Sequence, residues 1–287
     1  MHTNHSITLQ SALTEAIARL GSTSGTPQLD AEILLCTVLG KDRSFLRTWP
    51  ERELDIAHYA AFDTLINRRR QGQPIAYLTG SREFWSREFI VTPDVLIPRP
   101  ETELLIEHCL ELIPFNQSVN IVDLGTGSGI IAVTLAAERP QANLVAVDIS
   151  AAALQVAKMN AARHGVDRIR FYQSNWLKQI PPGLFDVIIS NPPYIAADDP
   201  HLQQGDLRFE PQTALTSGAD GLKDIRIIAK SASNRLNKGG FIVFEHGYDQ
   251  GLAAQELLKS LNFSYVQTIN DLAGQARVTS GQYLPPD

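Results

Sequence analysis

Val122-Asp123-Leu124-Gly125-Thr126-Gly127-Ser128-Gly129 is the stretch on which the reading of this chain turns. An apolar run, Asn120–Leu124, gives way to three alternate glycines, and a helical pattern over 130–137 comes at once after them. Glycine lets a backbone turn tightly and approach a ligand with no side chain in between. The helix behind it offers unpaired N–H groups and the positive end of its dipole, which suit a carboxylate or phosphate. A plain strand–helix turn needs fewer glycines, so Gly125, Thr126, Gly127, Ser128 and Gly129 are expected to bind a ligand. Downstream the alternation continues, with a strand at 143–147, a helix at Ala151–Arg163, and strands at 169–172 and Phe185–Ser190. A helix at 225–236 and a fifth strand at 241–245 complete it. Such alternation implies a parallel sheet with helices on both faces. Segments 264–269 and Ala276–Tyr283 then read as strands with no helix between them, an antiparallel hairpin.

Asp148 ends the second strand, where a carboxylate can accept hydrogen bonds from ribose hydroxyls. NAD, FAD and S-adenosylmethionine sites all use that device. The spacing Gly-x-Gly-x-Gly differs from the dinucleotide fingerprint Gly-x-Gly-x-x-Gly and favours S-adenosylmethionine. Capping of the next helix at Ser150 is the other use Asp148 could have. Asn175 and Trp176 come after the third strand at the same end of the sheet. They suit stacking on and hydrogen bonding to adenine, although Trp176 as ordinary core is equally compatible with the pattern. The fold class expected is α/β, Rossmann-like, with a mostly parallel sheet and a C-terminal antiparallel hairpin. That combination is typical of class I S-adenosylmethionine-dependent methyltransferases.

The fourth strand runs directly into Asn191-Pro192-Pro193-Tyr194. Two prolines fix the backbone and remove local N–H competitors for the carbonyls. The Asn191 side-chain oxygen and a nearby proline carbonyl can then accept both hydrogens of a planar –NH₂ group. Such a nitrogen is a poor nucleophile because its lone pair is delocalised, and no side chain deprotonates it near neutral pH. Fixed acceptors stabilise the charge that grows on nitrogen and steer its lone pair toward the methyl donor. Tyr194 can cover the flat face of the group. Asn191, Pro192, Pro193 and Tyr194 are thus the candidate catalytic and substrate-binding residues, with Asn191 also bordering the cofactor.

Residues 1–73 read as a small helical bundle, with a stripe at Leu9, Leu13, Ile17 and Leu20, a second at Ile33, Leu34, Leu35, Val38 and Leu39, and a third helix over 53–70. Residues 74–100 turn to Pro, Gly and aromatic residues and read as a hairpin-containing linker, and 101–287 form the catalytic domain. The 287 residues carry a net charge of −6, with 44% hydrophobic and 20% charged residues, the profile of an ordinary soluble protein. The acidic balance argues against a generic nucleic-acid binder, and Arg68, Arg69 and Arg70 form the only basic run. Cys36 and Cys109 fit buried free thiols in a reducing cytoplasm. The opening MHTNHSITLQ lacks a basic region leading into an apolar stretch, so no signal peptide is expected. No metal-ligand spacing is evident, and His246 reads as structural.

Further stretches carry a family resemblance. They are Gln73-Pro74-Ile75-Ala76-Tyr77-Leu78-Thr79-Gly80, Phe84-Trp85, and Leu96-Ile97-Pro98-Arg99-Pro100-Glu101-Thr102-Glu103, with Phe244-Glu245-His246-Gly247 and Arg277-Val278-Thr279 near the end. With the glycine loop and the Asn191 loop, they make the chain resemble the PrmC/HemK-type protein-glutamine methyltransferases over almost its whole length. The resemblance implies an N-terminal domain that docks peptide-chain release factors of bacterial class 1 type. It also implies methylation of the glutamine side-chain amide in their Gly-Gly-Gln motif. By motif match, Gly125 to Gly129, Asp148, Trp176 and Asn191 would contact the cofactor, S-adenosyl-L-methionine, and Asn191 to Tyr194 would hold the glutamine. Asn175 stands where Asp is expected in many relatives, and its amide oxygen can still accept from adenine. A cytoplasmic monomer, with no nucleic acid, membrane or metal involved, is the expectation. The competing readings are an adenine amino-group methyltransferase acting on DNA or RNA, a non-catalytic binding module, and, more remotely, a dehydrogenase.

Overall fold

The computed structural model describes residues 7–285; of the opening stretch read as free of a leader, residues 1–6 lie outside that range. The chain gathers into two compact units. One comprises the residues up to Gly80 together with Gln203–Phe209, and the other Ser81–Leu202 with the chain from Glu210 onward.

The first unit is helical, with α1 (Leu9–Leu20), α2 (Pro27–Leu39), α3 (Arg43–Thr48), α4 (Ile56–Arg70) and α5 (Ile75–Thr79). The first four starts have a local cause. Thr8 and Ser11 form a capping box on α1, Pro27 sits in the first turn of α2, and the Asp42 and Asp55 side chains accept the N–H groups of Phe45 and His58. Asp55 is why α4 begins at Ile56 rather than at 53. Leu9, Ala16, Leu20, Leu34, Leu35, Phe62 and Ile66 form the core, with Leu13 and Ile17 packed at its rim. The basic run is partly spent inside the fold. The Arg69 Nε donates to Oδ2 of the buried Asp30 at 2.7 Å, and Arg68 Nε donates to the Gln73 side chain at 2.7 Å.

The second unit opens with an antiparallel hairpin, β1 (Ser81–Phe84) and β2 (Arg87–Ile90), and continues into α6 (Thr102–Leu112). Strands and helices then alternate: β3 (Asn120–Leu124), α7 (Ile130–Glu138), β4 (Asn143–Asp148), α8 (Ala151–Arg163), β5 (Arg170–Gln173) and β6 (Phe185–Ser190). Two short helices, α9 (Gln212–Leu215) and α10 (Lys223–Ala232), precede β7 (Leu236–Glu245), α11 (Gly251–Ser260), β8 (Phe263–Asn270) and β9 (Ala276–Tyr283). The seven-stranded sheet has the order β5-β4-β3-β6-β7-β9-β8. Pairing is parallel from β5 through β7, and β9 is antiparallel to both β7 and β8. Helices cover both faces, so the central strands are apolar on both sides: Val187 and Ile189 point into one core, Ile188 into the other. This is the class I architecture that the alternation called for.

Two local readings are corrected. The helix expected over 225–236 ends at Ala232, and β7 starts at Leu236, five residues before the expected strand. Leu236 pairs with Phe185, and a register shift between Phe185 and Val187 absorbs the intervening residues. Gly240 makes this possible, because a Cβ there would lie 3.0 Å from the carbonyl oxygens of Asn237 and Asp186. Both cysteines are free, Cys109 buried and Cys36 only half-buried. Among the described residues no helix is long and apolar enough to cross a membrane.

Candidate active site

The chain leaves β3 toward β4 and β5 on one side, and returns as β6 on the other. That reversal opens a crevice beyond the carboxyl ends of β3 and β6. The glycine loop and the Asn191 loop are therefore carried by neighbouring strands, with Leu124 directly opposite Ser190. The Ser190 hydroxyl also donates to the Leu124 carbonyl at 2.7 Å.

The N–H groups of Gly125 and Thr126 donate to the Val147 carbonyl at 2.8 and 2.9 Å, which ties the loop to β4. Gly125, Gly127 and Gly129 all have left-handed backbone, φ +74°, +54° and +84°, but serve different ends. A Cβ at Gly127 would meet nothing within 4 Å, one at Gly125 would lie 3.2 Å from the Trp176 ring, and one at Gly129 would press on Ala157 at 3.1 Å. The first glycine accommodates an indole, the second leaves a cradle open, and the third lets α7 pack against α8. Asp123 braces the loop from beneath, accepting from the Thr126 hydroxyl at 2.6 Å and the Ala132 N–H at 3.2 Å. Burial pushes its carboxyl up to about 7. Asn160, fully buried on α8, ties the loop to the hairpin by donating to the Ser128 and Ile90 carbonyls and accepting the Ile90 N–H.

A cavity of about 760 Å³ lies over these elements, within the roughly 300–1,000 Å³ common for small-molecule sites. Of the residues expected from the sequence, Gly125, Thr126, Gly127, Ser128, Asp148, Asn175, Trp176, Asn191 and Pro193 line it, whereas Gly129, Pro192 and Tyr194 do not. The two oxygens of Asp148 each take one backbone donor, Ser150 N–H and Gly127 N–H, both at 2.9 Å. So Asp148 meets the start of α8 as well as the cavity, and each oxygen keeps acceptor capacity for a hydroxyl. Burial raises its pKa. Trp176 is packed and exposed to the cavity at once. Its ring flanks the second core, its Nε1 donates to Asp224 at 3.3 Å, and its left-handed backbone (φ +53°) is pinned by the Ser174 hydroxyl donating to its carbonyl at 2.8 Å. Asn175 is half-buried beside it.

On the Asn191 loop, the Asn191 Nδ2 donates to Thr102 Oγ1 at 3.1 Å, and the Thr102 hydroxyl donates to Glu245 Oε2 at 2.8 Å. The Tyr194 hydroxyl donates to the other oxygen of Glu245 at 3.2 Å, so the ring is turned inward. Glu245 is only 1% exposed, and burial pushes its carboxyl up to about 7. The Tyr194 carbonyl accepts from Gln250 Nε2 at 3.0 Å and packs on Gly221, where a Cβ would sit 2.1 Å from that oxygen. His246 is structural: its Nδ1 donates to the Gly247 carbonyl and its Nε2 accepts from Thr279, both at 2.8 Å, and burial lowers its pKa.

Other walls were not anticipated. Arg99 lines the cavity and pairs with the buried carboxylate of Glu210, which also accepts the Ile97 N–H at 3.0 Å. Pro211, Gln212, Thr213, Lys223, Asp224 and Ile227 close another side. Arg99 stands in the Pro-Arg-Pro motif at 98–100, whereas Glu210 and Asp224 carry no sequence signal. Among the described residues no His/Cys/Asp/Glu group could hold a metal ion.

Comparison with known proteins finds two family matches, one in each part of the chain up to residue 207. Residues 100–207 match the methyltransferase small domain, and residues 11–80 match the PrmC N-terminal domain. A release factor glutamine methyltransferase of Vibrio cholerae is 45% identical over 97% of this chain and 98% of its own length. One of Xylella fastidiosa is 46% identical over 96% and 97%, and that of Escherichia coli K12 is 45% identical over 94% and 97%. Among solved structures, a methyltransferase from Pyrococcus furiosus superimposes with a TM-score of 0.53 at 17% identity, covering 76% of this chain and 98% of that one. At that identity the likeness speaks for the fold alone.

Proposed function

The chain belongs to the family of release factor glutamine methyltransferases, and from that premise we propose that it methylates the side-chain amide nitrogen of the glutamine in the Gly-Gly-Gln motif of peptide-chain release factors, with S-adenosyl-L-methionine as donor. The observation that carries this reading is the pairing of two motifs on adjacent strands over one cavity, the open cradle at Gly127 beside the Asp148 carboxylate and the Asn191 amide across from it. The residues present suit the cofactor. Gly127 leaves room for close approach, Asp148 keeps acceptor capacity for ribose hydroxyls, and Trp176 offers a flat face with Asn175 beside it for adenine. When bound, S-adenosylmethionine supplies an electrophilic methyl group on a sulfonium.

The protein's own contribution is position and electrostatics. The Asn191 Oδ1 and a carbonyl of the Pro192–Pro193 segment accept the two amide hydrogens, fix the plane of the group and stabilise positive charge as it develops on nitrogen. No side-chain base has to remove a proton beforehand. Pro193 forms cavity wall, while Pro192 and Tyr194 act from behind, through backbone rigidity and the Tyr194–Glu245 hydrogen bond. We assign docking of the release factor to the N-terminal helices (1–73), a linker role to 74–100 and catalysis to 101–287, an arrangement supported by the separate match to the PrmC N-terminal domain. The reading places a monomeric enzyme in the cytoplasm, with no nucleic acid as substrate.

The test uses radiolabelled S-adenosylmethionine with unmethylated release factor, its Gln→Ala variant in the Gly-Gly-Gln motif, and DNA and RNA. Label is expected on the native factor alone; label on nucleic acid alone would overturn the substrate. Asn191→Ala is expected to keep cofactor affinity and lower turnover about 10²–10³-fold, the usual loss on removing a fixed electrostatic contact. Near-normal turnover in that variant would remove Asn191 from the mechanism.

A further inference from the structure

An Asn side chain has two ends of almost the same shape, one a donor and one an acceptor. If Asn191 is to receive the hydrogens of an –NH₂ group, its oxygen must face the cavity and its nitrogen must face away. Nothing in the shape of the loop settles which way round it sits, but the chemistry behind it does. A carboxylate can only accept, so the hydroxyl hydrogen of Thr102 goes to Glu245 Oε2 at 2.8 Å. With its one hydrogen used, Thr102 Oγ1 can only accept from Asn191, at 3.1 Å, and the group it meets must be Nδ2. Glu245 is itself held, because Tyr194 occupies its other oxygen. Thr102 is wholly buried and Glu245 nearly so, which keeps the chain of bonds from rearranging through solvent.

We infer that Thr102 and Glu245 set the polarity of the Asn191 amide, turning its Nδ2 inward and thereby its Oδ1 toward the bound amide nitrogen. They are positioning residues, and the inference rests on the assignment of Asn191 proposed above. Were the amide reversed, an N–H of Asn191 would confront the N–H groups of the substrate, and the grip would become a repulsion. The direction of the chain depends on Glu245 being ionised. Around it lie Thr102 and Tyr194, which hydrogen-bond to it, Arg277 on β9, whose charge favours the ionised form, and Glu101 ahead of α6, whose charge opposes it. Once protonated, Glu245 can donate to Thr102, which frees the hydroxyl hydrogen to turn to Asn191 and inverts the amide. Turnover therefore falls as the pH drops below about 7, the value to which burial raises this carboxyl.

The test compares wild type with Thr102→Val, Thr102→Ser, Glu245→Gln, the Val/Gln double variant and Asn191→Ala. It measures kcat and KM for the release factor, the S-adenosylmethionine dissociation constant, the melting temperature, and kcat against pH. Thr102→Val is expected to lower kcat about tenfold, the worth of one orienting hydrogen bond, and Thr102→Ser to restore it to within about twofold. Glu245→Gln is the sharper probe. With its oxygen kept by Tyr194, its amide nitrogen donates to Thr102 and reverses the chain. This nearly isosteric change should lower kcat at least as much as Thr102→Val. The double variant should be no worse than Thr102→Val alone, because once the hydroxyl is gone the polarity of residue 245 no longer reaches Asn191. The acid limb near pH 7 should disappear with Thr102→Val. Wild-type kcat in Glu245→Gln, or equal losses in the Ser and Val variants, would overturn the inference, as would strictly additive losses accompanied by a falling melting temperature. Asn191→Ala at the wild-type rate would instead overturn the role of Asn191 itself, whereas an inactive Asn191→Ala beside unaffected Thr102 and Glu245 variants would overturn the polarity alone.

Discussion

Replacing Gly221 by Ala tests how tightly the Asn191 loop is held. Gly221 has φ +72°, and an added Cβ would lie 2.1 Å from the Tyr194 carbonyl oxygen and 2.6 Å from Gln250 Nε2. The backbone conformation alone costs an alanine roughly 1–2 kcal/mol. The collision adds to this, because the nearer atom is backbone and cannot swing aside. Restoring an ordinary contact demands about 1 Å of movement, and forced repacking of that kind costs roughly 1–3 kcal/mol. The sum, about 2–5 kcal/mol, corresponds to a fall of roughly 4–20 °C in the melting temperature of a domain this size. The displaced atoms belong to the loop that carries Asn191, and a shift of about 1 Å at a reacting group can cost about 10²-fold in rate. The assay pairs urea unfolding with single-turnover methylation of the release factor at saturating S-adenosylmethionine. Gly127→Ala is the control, since its Cβ meets nothing within 4 Å and should weaken cofactor binding while costing only the backbone strain. A Gly221→Ala protein within about 0.5 kcal/mol of wild type and within about threefold of its rate would refute the close approach and the link between it and Asn191.

Asp148→Ala should weaken S-adenosylmethionine binding, measured by calorimetry or Trp fluorescence, and an unchanged dissociation constant would remove Asp148 from the site. Asp30→Ala leaves the Arg69 guanidinium without its buried partner and should destabilise the protein by about 3–5 kcal/mol in urea unfolding. A loss below about 1 kcal/mol would mean that the pair behaves as an exposed one. Burial raises Glu245 from an ordinary 4.5 to about 7, so the folded state favours the protonated form. Its contribution to stability is full below pH about 4.5 and is lost as the pH rises through about 7. Wild type should thus lose stability relative to Glu245→Gln between pH about 4.5 and about 7 and level off above that, and a difference that stays flat across this window or runs the other way would contradict the raised pKa.

What could be read in advance was whatever local chemistry dictates. Alternating apolar strands and helices gave the sheet, because a strand buried on both faces has to be apolar throughout, as Phe185–Ser190 nearly is. The glycine loop was legible because three left-handed positions demand glycine. Short helices were not: Arg43–Thr48 holds too little of a helical period to show a stripe, and its start depends on the Asp42 cap. Gly251–Ser260 opens on a glycine with no side-chain cap, and it too went unread. The two readings of Trp176 stayed open in the sequence, and its ring packs over Gly125 and also lines the cavity, a position compatible with either. Tyr194 was expected to cover the substrate, and the contact of its hydroxyl with Glu245 went unread. That partner lies far along the chain, as Glu210 does from Arg99, and pairings between distant residues leave no spacing to read.

The placement of the two loops on neighbouring strands has a consequence for how the site can change. Their separation is set by the ladder between β3 and β6, about 4.8 Å between strands, with the Ser190 hydroxyl on the Leu124 carbonyl as an added tie. Substitutions of side chains that face the cavity can alter the reagent held on one side or the group gripped on the other while the spacing of the two strands stays as it is. A single inserted or deleted residue within either strand would slide the motif along the ladder and turn its side chains to the opposite face. A change of length between Asn120 and Gly125 or between Phe185 and Asn191 is therefore expected to dismantle the site, whereas changes beyond Tyr194 leave the spacing of the two strands in place.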